Sequence, residues 1–215
     1  MLSIIIVGYN PDIVKLNKFL RIIGKKFALI YINNSEKYDL KRIKFEKNSK
    51  IINSKNYGNG AGINLGLKSC KTQYALYLDI DVLIKKNFFN DFKKYIKKIK
   101  NFAILVPNHG NLSSRAIKIE KYSGEASVML FNLKKFKKIG YFDENYFLYF
   151  EEQDLFHQCR KNNLKIYFLP NLKIKHMRAS SVSKNLKNII YLRTWHYMWS
   201  MFYFYKKNFN YFFAI

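Results

Sequence analysis

The chain has 215 residues, 49% of them apolar, which is enough for a proper core and too many for whole-chain disorder. Its 39 Lys and Arg face only 14 Asp and Glu, giving a net charge of +25 and an expected anionic partner or surface. Phosphorylated small molecules, acidic phospholipid and nucleic acid all fit that charge; Lys, Asn, Ile, Phe and Tyr are abundant together, as in AT-rich genomes, so charge alone selects none of them. Cys70 and Cys159 are too few and too distant for a disulfide framework or zinc cluster, and predict a reduced, cytoplasmic setting. The apolar run 4–7 is too short for an export segment and has no basic leader. The stretch 195–215 comes nearest to a membrane span, but Lys206, Lys207, Asn208 and Asn210 interrupt it.

In chain order, the apolar run 2–7 predicts a buried strand, 11–23 an amphipathic helix and 27–32 a second strand. Residues 51–52 suggest a short third strand, 61–70 a helix, 74–78 a fourth strand and 88–99 a basic helix. A fifth strand is expected over 102–106. Strand and helix in turn predict an α/β domain with parallel strands covered on both faces. The second half is less regular, with strands over 126–131 and 165–169 and a short helix over 133–138. A helix over 151–161 and a long aromatic helix over 186–205 complete the pattern. With no repeat and no linker rich in Pro, Gly or Ser, one domain is expected.

Five features carry chemistry. Asp79-Ile80-Asp81 follows the strand 74–78, and carboxylates just past a strand's carboxyl end lie where open α/β sheets bind ligands. Such a pair holds Mg²⁺ or Mn²⁺ while the metal's other positions take diphosphate oxygens; it is equally what a solvated turn looks like. At the same sheet edge, Tyr9 and Asn10 end the first strand, and Asn33 and Asn34 end the second. A ring and an amide there suit a pyrimidine base, although Asn is also a common turn former.

Residues 56–64 place Asn56, Gly58, Gly60, Gly62 and Asn64 before or within a helix start. Glycines there allow close approach of a ligand, and a helix N-terminus favours phosphate; a flexible turn uses the same residues. Asp143 and Glu144, then Glu151, Glu152 and Asp154, form the acidic cluster of a basic chain. Carboxylates also favour a helix's first turn for the dipole alone. Glu151 and Asp154 share a face while Glu152 points elsewhere, so one can serve as general base while another steadies the helix. His176 follows the strand-like 172–175 and gains meaning only beside a metal.

Together these residues resemble a family 2 glycosyltransferase of the GT-A fold, in particular its rhamnosyltransferase-like branch. Residues 3–10 resemble the family's first strand, and 56–66 its N-x-G-x-x-x-G-x-N-x-G segment. Asp79-Ile80-Asp81 matches the metal motif. Residues 140–155 resemble G-G-F-D-E-x-F-F-x-Y-x-E-D-x-D-L, and His176, Ala179 and Ser181 resemble H-x-x-G-x-S. The matches run in order along most of the chain.

The resemblance implies a mixed, mostly parallel central sheet with helices on both faces, forming a catalytic domain over 1–183. The aromatic, basic segment 184–215 would pack on that domain or face a membrane. It implies donor-nucleotide contacts from Tyr9, Asn10, Asn33, Asn34, Asn56, Gly60, Asn64 and Asp79, and acceptor contacts from Gly124, Asp143 and Glu151. Asp79, Asp81 and His176 would hold Mn²⁺ or Mg²⁺. Glu152 stands where the family carries its catalytic Asp, one methylene longer, with Glu151 and Asp154 as alternatives. The implied reaction is inverting transfer of a sugar, rhamnose from a deoxythymidine-diphosphate donor being favoured, to a glycan or lipid-linked acceptor in surface polysaccharide synthesis. Peripheral contact with the cytoplasmic face of an anionic membrane fits the last segment. A sugar-nucleotide pyrophosphorylase would need a Gly-rich basic loop after residue 7, which is missing. A nucleic-acid binder would leave the ordered acidic motifs unexplained.

Overall fold

The computed structural model describes residues 2–85, 87–110, 115–120, 127–136, 138–177, 186–210 and 212. Gly124, Ala179, Ser181 and Lys184 lie outside them. The elements run β1 (Leu2–Gly8), α1 (Ile13–Ile23), β2 (Ala28–Asn33), β3 (Ser49–Asn53), α2 (Asn59–Ser69), β4 (Tyr74–Leu78), β5 (Val82–Leu83) and α3 (Phe88–Lys98). They continue with β6 (Ile104–Asn108), β7 (Ile119–Glu120), β8 (Val128–Asn132), α4 (Glu151–Lys161), β9 (Ile166–Lys173), β10 (Lys175–His176) and α5 (Leu186–Asn208).

Among the described residues the main sheet has the order β3-β2-β1-β4-β8-β6-β9-β7. β1, β2, β3 and β4 are parallel neighbours, as are β6 and β9. β8 runs against both β4 and β6, so the sheet is mixed rather than all parallel. The first strand shows why its sequence is apolar throughout. Ile4 and Ile6 face a core with Leu16 and Phe19 of α1 and Phe88 and Phe92 of α3. Ile5 faces the opposite core with Ile63 and Leu67 of α2 and Leu155 and Phe156 of α4. A strand covered on both faces gains nothing from alternation.

Three expectations need correction. The short helix expected over 133–138 is a single 3-10 turn, Leu133–Lys135. The Leu133 amide donates to the Gln73 carbonyl at 3.0 Å, and Phe136 drops into the core. The strand expected over 165–169 runs on through Pro170 to Lys173. Its register against β6 shifts between Pro107 and Asn108, where the Asn108 side-chain Nδ2 donates to the Pro170 carbonyl at 2.8 Å. The two-residue pair β5–β10, outside the main sheet, was not foreseen.

Gly62, offered above for ligand approach, and Gly66 have a packing role. A Cβ on Gly66 would lie 2.4 Å from Ile5 Cγ2, and one on Gly62 2.8 Å from Val7 Cγ1. Their absence lets α2 settle directly on β1.

The long helix α5 packs one face on the domain. Ser200 donates to the Leu148 carbonyl at 2.8 Å, and Phe204 buries with Tyr146 and Phe150. Among the described residues no helix is long and apolar enough to cross a membrane.

Candidate active site

Parallel pairing of β1, β2 and β4 brings their carboxyl ends to one edge, carrying Tyr9 and Asn10, Asn33 and Asn34, and Asp79. Antiparallel β8 begins there too, and the Asp79 amide bonds to the Ser127 carbonyl at 2.9 Å. The chain then turns into β5. Its pairing with β10 sets His176 opposite Val82, and the Met177 amide bonds to the Asp81 carbonyl at 3.0 Å. That ribbon delivers the imidazole. His176 Nε2 lies 2.9 Å from Asp81 Oδ1 and 3.9 Å from Asp79 Oδ2.

Asp79, Asp81 and His176 each offer one ligand atom, and these atoms all lie within 4.8 Å of one another. Two carboxylate oxygens and an imidazole nitrogen at that spacing suit a divalent ion. The residues therefore fit the metal implied by the sequence.

The carboxylates are not alike. Desolvation is the largest influence on Asp79 and raises its pKa; the Tyr77 hydroxyl donates to Oδ1 at 2.7 Å and works against that shift. Asp81 raises it further, and His176 lowers it. Tyr77 is buried, and its hydroxyl also lies 3.3 Å from the Asn59 side-chain amide. Asn59 in turn hydrogen-bonds Glu151. A chain of contacts thus runs Asp79, Tyr77, Asn59, Glu151, linking the strand-end carboxylates to the first turn of α4.

Glu151 is only 2% exposed, and its Oε2 is buried with no hydrogen-bond partner. Desolvation pushes its carboxyl up to about 7; its own backbone amide and Asn59 pull down, and the Asp79 charge pushes up. Glu152 is half-buried and close enough for its charge to contribute, after burial and Asp79, to the raised pKa of Tyr77. Asp154 is taken up by the C-terminal helix. It accepts from Lys207 at 2.7 Å and Asn208 at 2.8 Å, both on α5. Asp143 is bound to the same helix, by Lys207 at 2.8 Å and Tyr203 at 3.0 Å.

Before α4 the backbone is strained: Tyr149 and Phe150 have φ of 70° and 65°, unusual for aromatic residues. Their rings pack on Tyr197 of α5, and Phe150 also on Phe204. That packing holds the turn that aims Glu151 and Glu152.

The nucleotide-side residues differ in what they leave open. Tyr9 is 57% exposed, and Asn10 is exposed with φ 44° and its amide bonded to Ser35 Oγ at 2.7 Å. Asn33 is buried, donating to Asn53 Oδ1 at 3.0 Å and accepting from the Ser35 amide at 3.2 Å. Asn33, Ser35, Asn53 and Ser54 line an open cleft of about 930 Å³ beside these strand ends. Asn34 is buried with its Oδ1 unpaired. Asn56 caps the turn at the Gly58 amide, 3.1 Å away. Gly60 lies under Phe142 and Glu151, where a Cβ would sit 3.1 Å and 3.5 Å from theirs. Asn64 is clamped to both the carbonyl and the amide of Phe142, at 2.9 Å and 3.0 Å, so it joins α2 to the acidic segment. The Asn59 amide at the start of α2 already bonds the Phe147 carbonyl at 3.1 Å.

Sequence reasoning missed Tyr77 and Asn59. Tyr77 looked like core, yet a residue two before Asp79 on a strand shares its face, and that spacing was the available signal. His109, 2.9 Å from the Ser127 hydroxyl next to Asp79, carried no signal in sequence at all.

Residues 3–165 match the model of the family described as glycosyl transferase family 2. No curated protein sequence matches the chain. Among solved structures, S. aureus TarS is similar with a TM-score of 0.59 at 18% identity, over 79% of this chain and 35% of TarS. GalNAc-T7, solved with UDP, GalNAc and Mn²⁺, is similar with a TM-score of 0.68 at 15% identity, over 95% of this chain and 50% of that one. A TarS fragment, 1–349, solved in complex with UDP gives 0.57 at 17% identity, over 79% of this chain and 58% of the fragment. The chain therefore spans less than two thirds of each of these structures, and the likeness establishes the GT-A fold. With the family match covering most of its length, this chain belongs to glycosyl transferase family 2.

Proposed function

We propose that the chain is a metal-dependent inverting glycosyltransferase that moves a sugar from a nucleoside diphosphate to an acceptor hydroxyl. The observation that carries this reading is the convergence of Asp79, Asp81 and His176 at the strand ends, joined through Tyr77 and Asn59 to the acidic first turn of α4. Asp79, Asp81 and His176 would hold Mn²⁺ or Mg²⁺, which when bound screens the negative charge of a departing diphosphate. The exposed Tyr9 ring is free to stack on a base, with Asn10, Asn33 and Asn34 around it. Glu152 receives the proton of the acceptor hydroxyl as its oxygen attacks the anomeric carbon from the face opposite the diphosphate. Glu151, buried beside Asn59, positions that turn; it and Asp154 are the alternatives for the base. Asp143 serves the acceptor in this reading.

The donor is a deoxythymidine-diphosphate sugar, rhamnose being the first choice, and the acceptor a glycan or lipid-linked saccharide used in surface polysaccharide. A lipid-linked acceptor would bring the enzyme to the cytoplasmic face of a membrane. The UDP complexes of structural relatives make uridine donors the natural second set. The test is nucleoside diphosphate release from a panel of dTDP- and UDP-sugars with Mn²⁺, with and without short glycan and lipid-linked acceptors. Acceptor-dependent release from one donor is the expected result. Folded protein that binds none of the donors and releases no diphosphate overturns the reading.

A further inference from the structure

α5 has two apolar faces, and only one of them meets the domain. Ser200, Phe204 and His196 point inward, with His196 stacked on Phe147 at 4.5 Å between ring centroids. Residues spaced four and three apart, Tyr191, Trp195, Met198, Phe202 and Tyr205, run down the opposite side. Tyr191 is 69% exposed, Trp195 60% and Met198 54%. At 1.5 Å per residue that stripe is about 21 Å long. Exposed apolar surface of this extent marks an interaction site.

The charge of the helix identifies the partner. No Asp or Glu occurs after Asp154, so α5 carries only cations, Lys187, Arg193, Lys206 and Lys207. Lys206 lies beside the stripe, its ammonium 6.0 Å from the Phe202 ring centre. Two copies meeting along this face would each bring a net charge of +25 to the contact. An anionic surface is attracted instead, and Trp and Tyr rings with flanking Lys favour the headgroup layer of a bilayer. The helix is not apolar enough to span it.

We propose that the outward stripe of α5 is an interfacial surface that lays the enzyme on an anionic phospholipid bilayer, while the inward face anchors the domain. The inference does not depend on the sugar-transfer reading, and its test needs no activity.

Trp195 and Trp199 are the only two tryptophans, and both are exposed on α5, so intrinsic fluorescence reports on this helix without any substitution. The full chain is mixed with phosphatidylcholine vesicles, and with vesicles that also contain phosphatidylglycerol. Expected are a blue-shifted emission and quenching by brominated lipid on the anionic vesicles only, both reversed by salt. Replacing Trp195→Ser together with Met198→Ser leaves Trp199 as reporter and should weaken partitioning about tenfold or more, by loss of buried apolar area. Circular dichroism checks that the variant is folded. Binding without a blue shift, equal binding to neutral vesicles, or no binding overturns the proposal. So does a concentration-dependent dimer in sedimentation that the double substitution abolishes, which would assign the stripe to a second copy of the chain.

Discussion

Lys207 on α5 lies 2.7 Å from Asp154 on α4, and Asp154 is 2% exposed. The same ammonium reaches Asp143 at 2.8 Å, so one cation ties the segment before α4 and the helix itself to the C-terminal helix. These contacts lie behind the turn that carries Glu151 and Glu152.

Replacing Lys207→Met should therefore cost stability. A fully buried pair that loses one partner costs about 3–5 kcal/mol. The Lys207 side chain is 28% exposed and Asp154 keeps its bond from Asn208, so about 2 kcal/mol is expected here. The pH dependence has a definite sign. Burial alone would raise the Asp143 pKa, but the hydrogen bond from Lys207 and the Asn145 amide outweigh it and lower the pKa. A carboxyl with a lowered pKa contributes stability at neutral pH that is lost as pH falls through the lowered value. Thermal melts of the two proteins should differ most at neutral pH and converge in acid. A gap that stays constant into acid would show that the ion pairs contribute nothing.

The metal reading makes a second prediction. Asp81→Ala removes one carboxylate and the 2.9 Å partner of His176. Mn²⁺ binding, followed by the loss of the free-ion paramagnetic resonance signal, should weaken by about tenfold or more, and transfer should cease. Undiminished turnover in excess chelator would rule out a metal role for the pair.

The strand ends were legible in the sequence because apolar runs of strand length mark β1, β2 and β4, and polar residues follow each at once. Asp79 and Asp81 could be placed from that alone. His176 could be paired with them only by resemblance, since β5 and β10 are two residues each and too short to leave a pattern. The direction of β8 was illegible for a different reason: a buried strand has the same composition whichever way it runs. The packing role of Gly62 was hidden because close packing and close ligand approach ask for the same residue. The two faces of α5 were hidden by a helix that is aromatic all round, where no polar side reveals which face is covered.

Glu151 and Glu152 can be separated by experiment. Glu152→Gln keeps size but cannot take a proton, so turnover should fall about 10²-fold or more with donor affinity nearly unchanged. Glu151→Gln should act on stability. Its carboxyl is raised from 4.5 to about 7, so between those values the folded chain holds a proton that the unfolded chain lacks. Wild-type stability in metal-free protein should fall as pH rises through that window; Glu151→Gln should lose the part between about 6 and 7 and keep a shallower slope below about 6, which belongs to Asp79. The variant should melt higher than wild type at pH 8 and close to it at pH 4. A dead Glu151→Gln beside an active Glu152→Gln would transfer the base role to Glu151.

The contact between α2 and the acidic segment supplies the last prediction. Gly58 has φ 107°, and a Cβ there would lie 2.4 Å from the Phe147 carbonyl oxygen. That obstacle is backbone, and the same carbonyl accepts the Asn59 amide at 3.1 Å, so it cannot rotate away without breaking the start of α2. Gly140 offers the comparison, with φ 73° and nothing within 4 Å of a built Cβ. Gly140→Ala carries backbone strain alone, about 1–2 kcal/mol. Gly58→Ala adds displacement of the Phe147 backbone, and about 3 kcal/mol or more is expected. It should also lower turnover, because Asn59 reaches Tyr77 on one side and Glu151 on the other, and both contacts shift with the helix start. Urea unfolding of the two variants measures the difference. Equal losses would mean that the α2 start yields freely to Phe147, and that the chain of contacts from Asp79 to Glu151 is not held in place from this side.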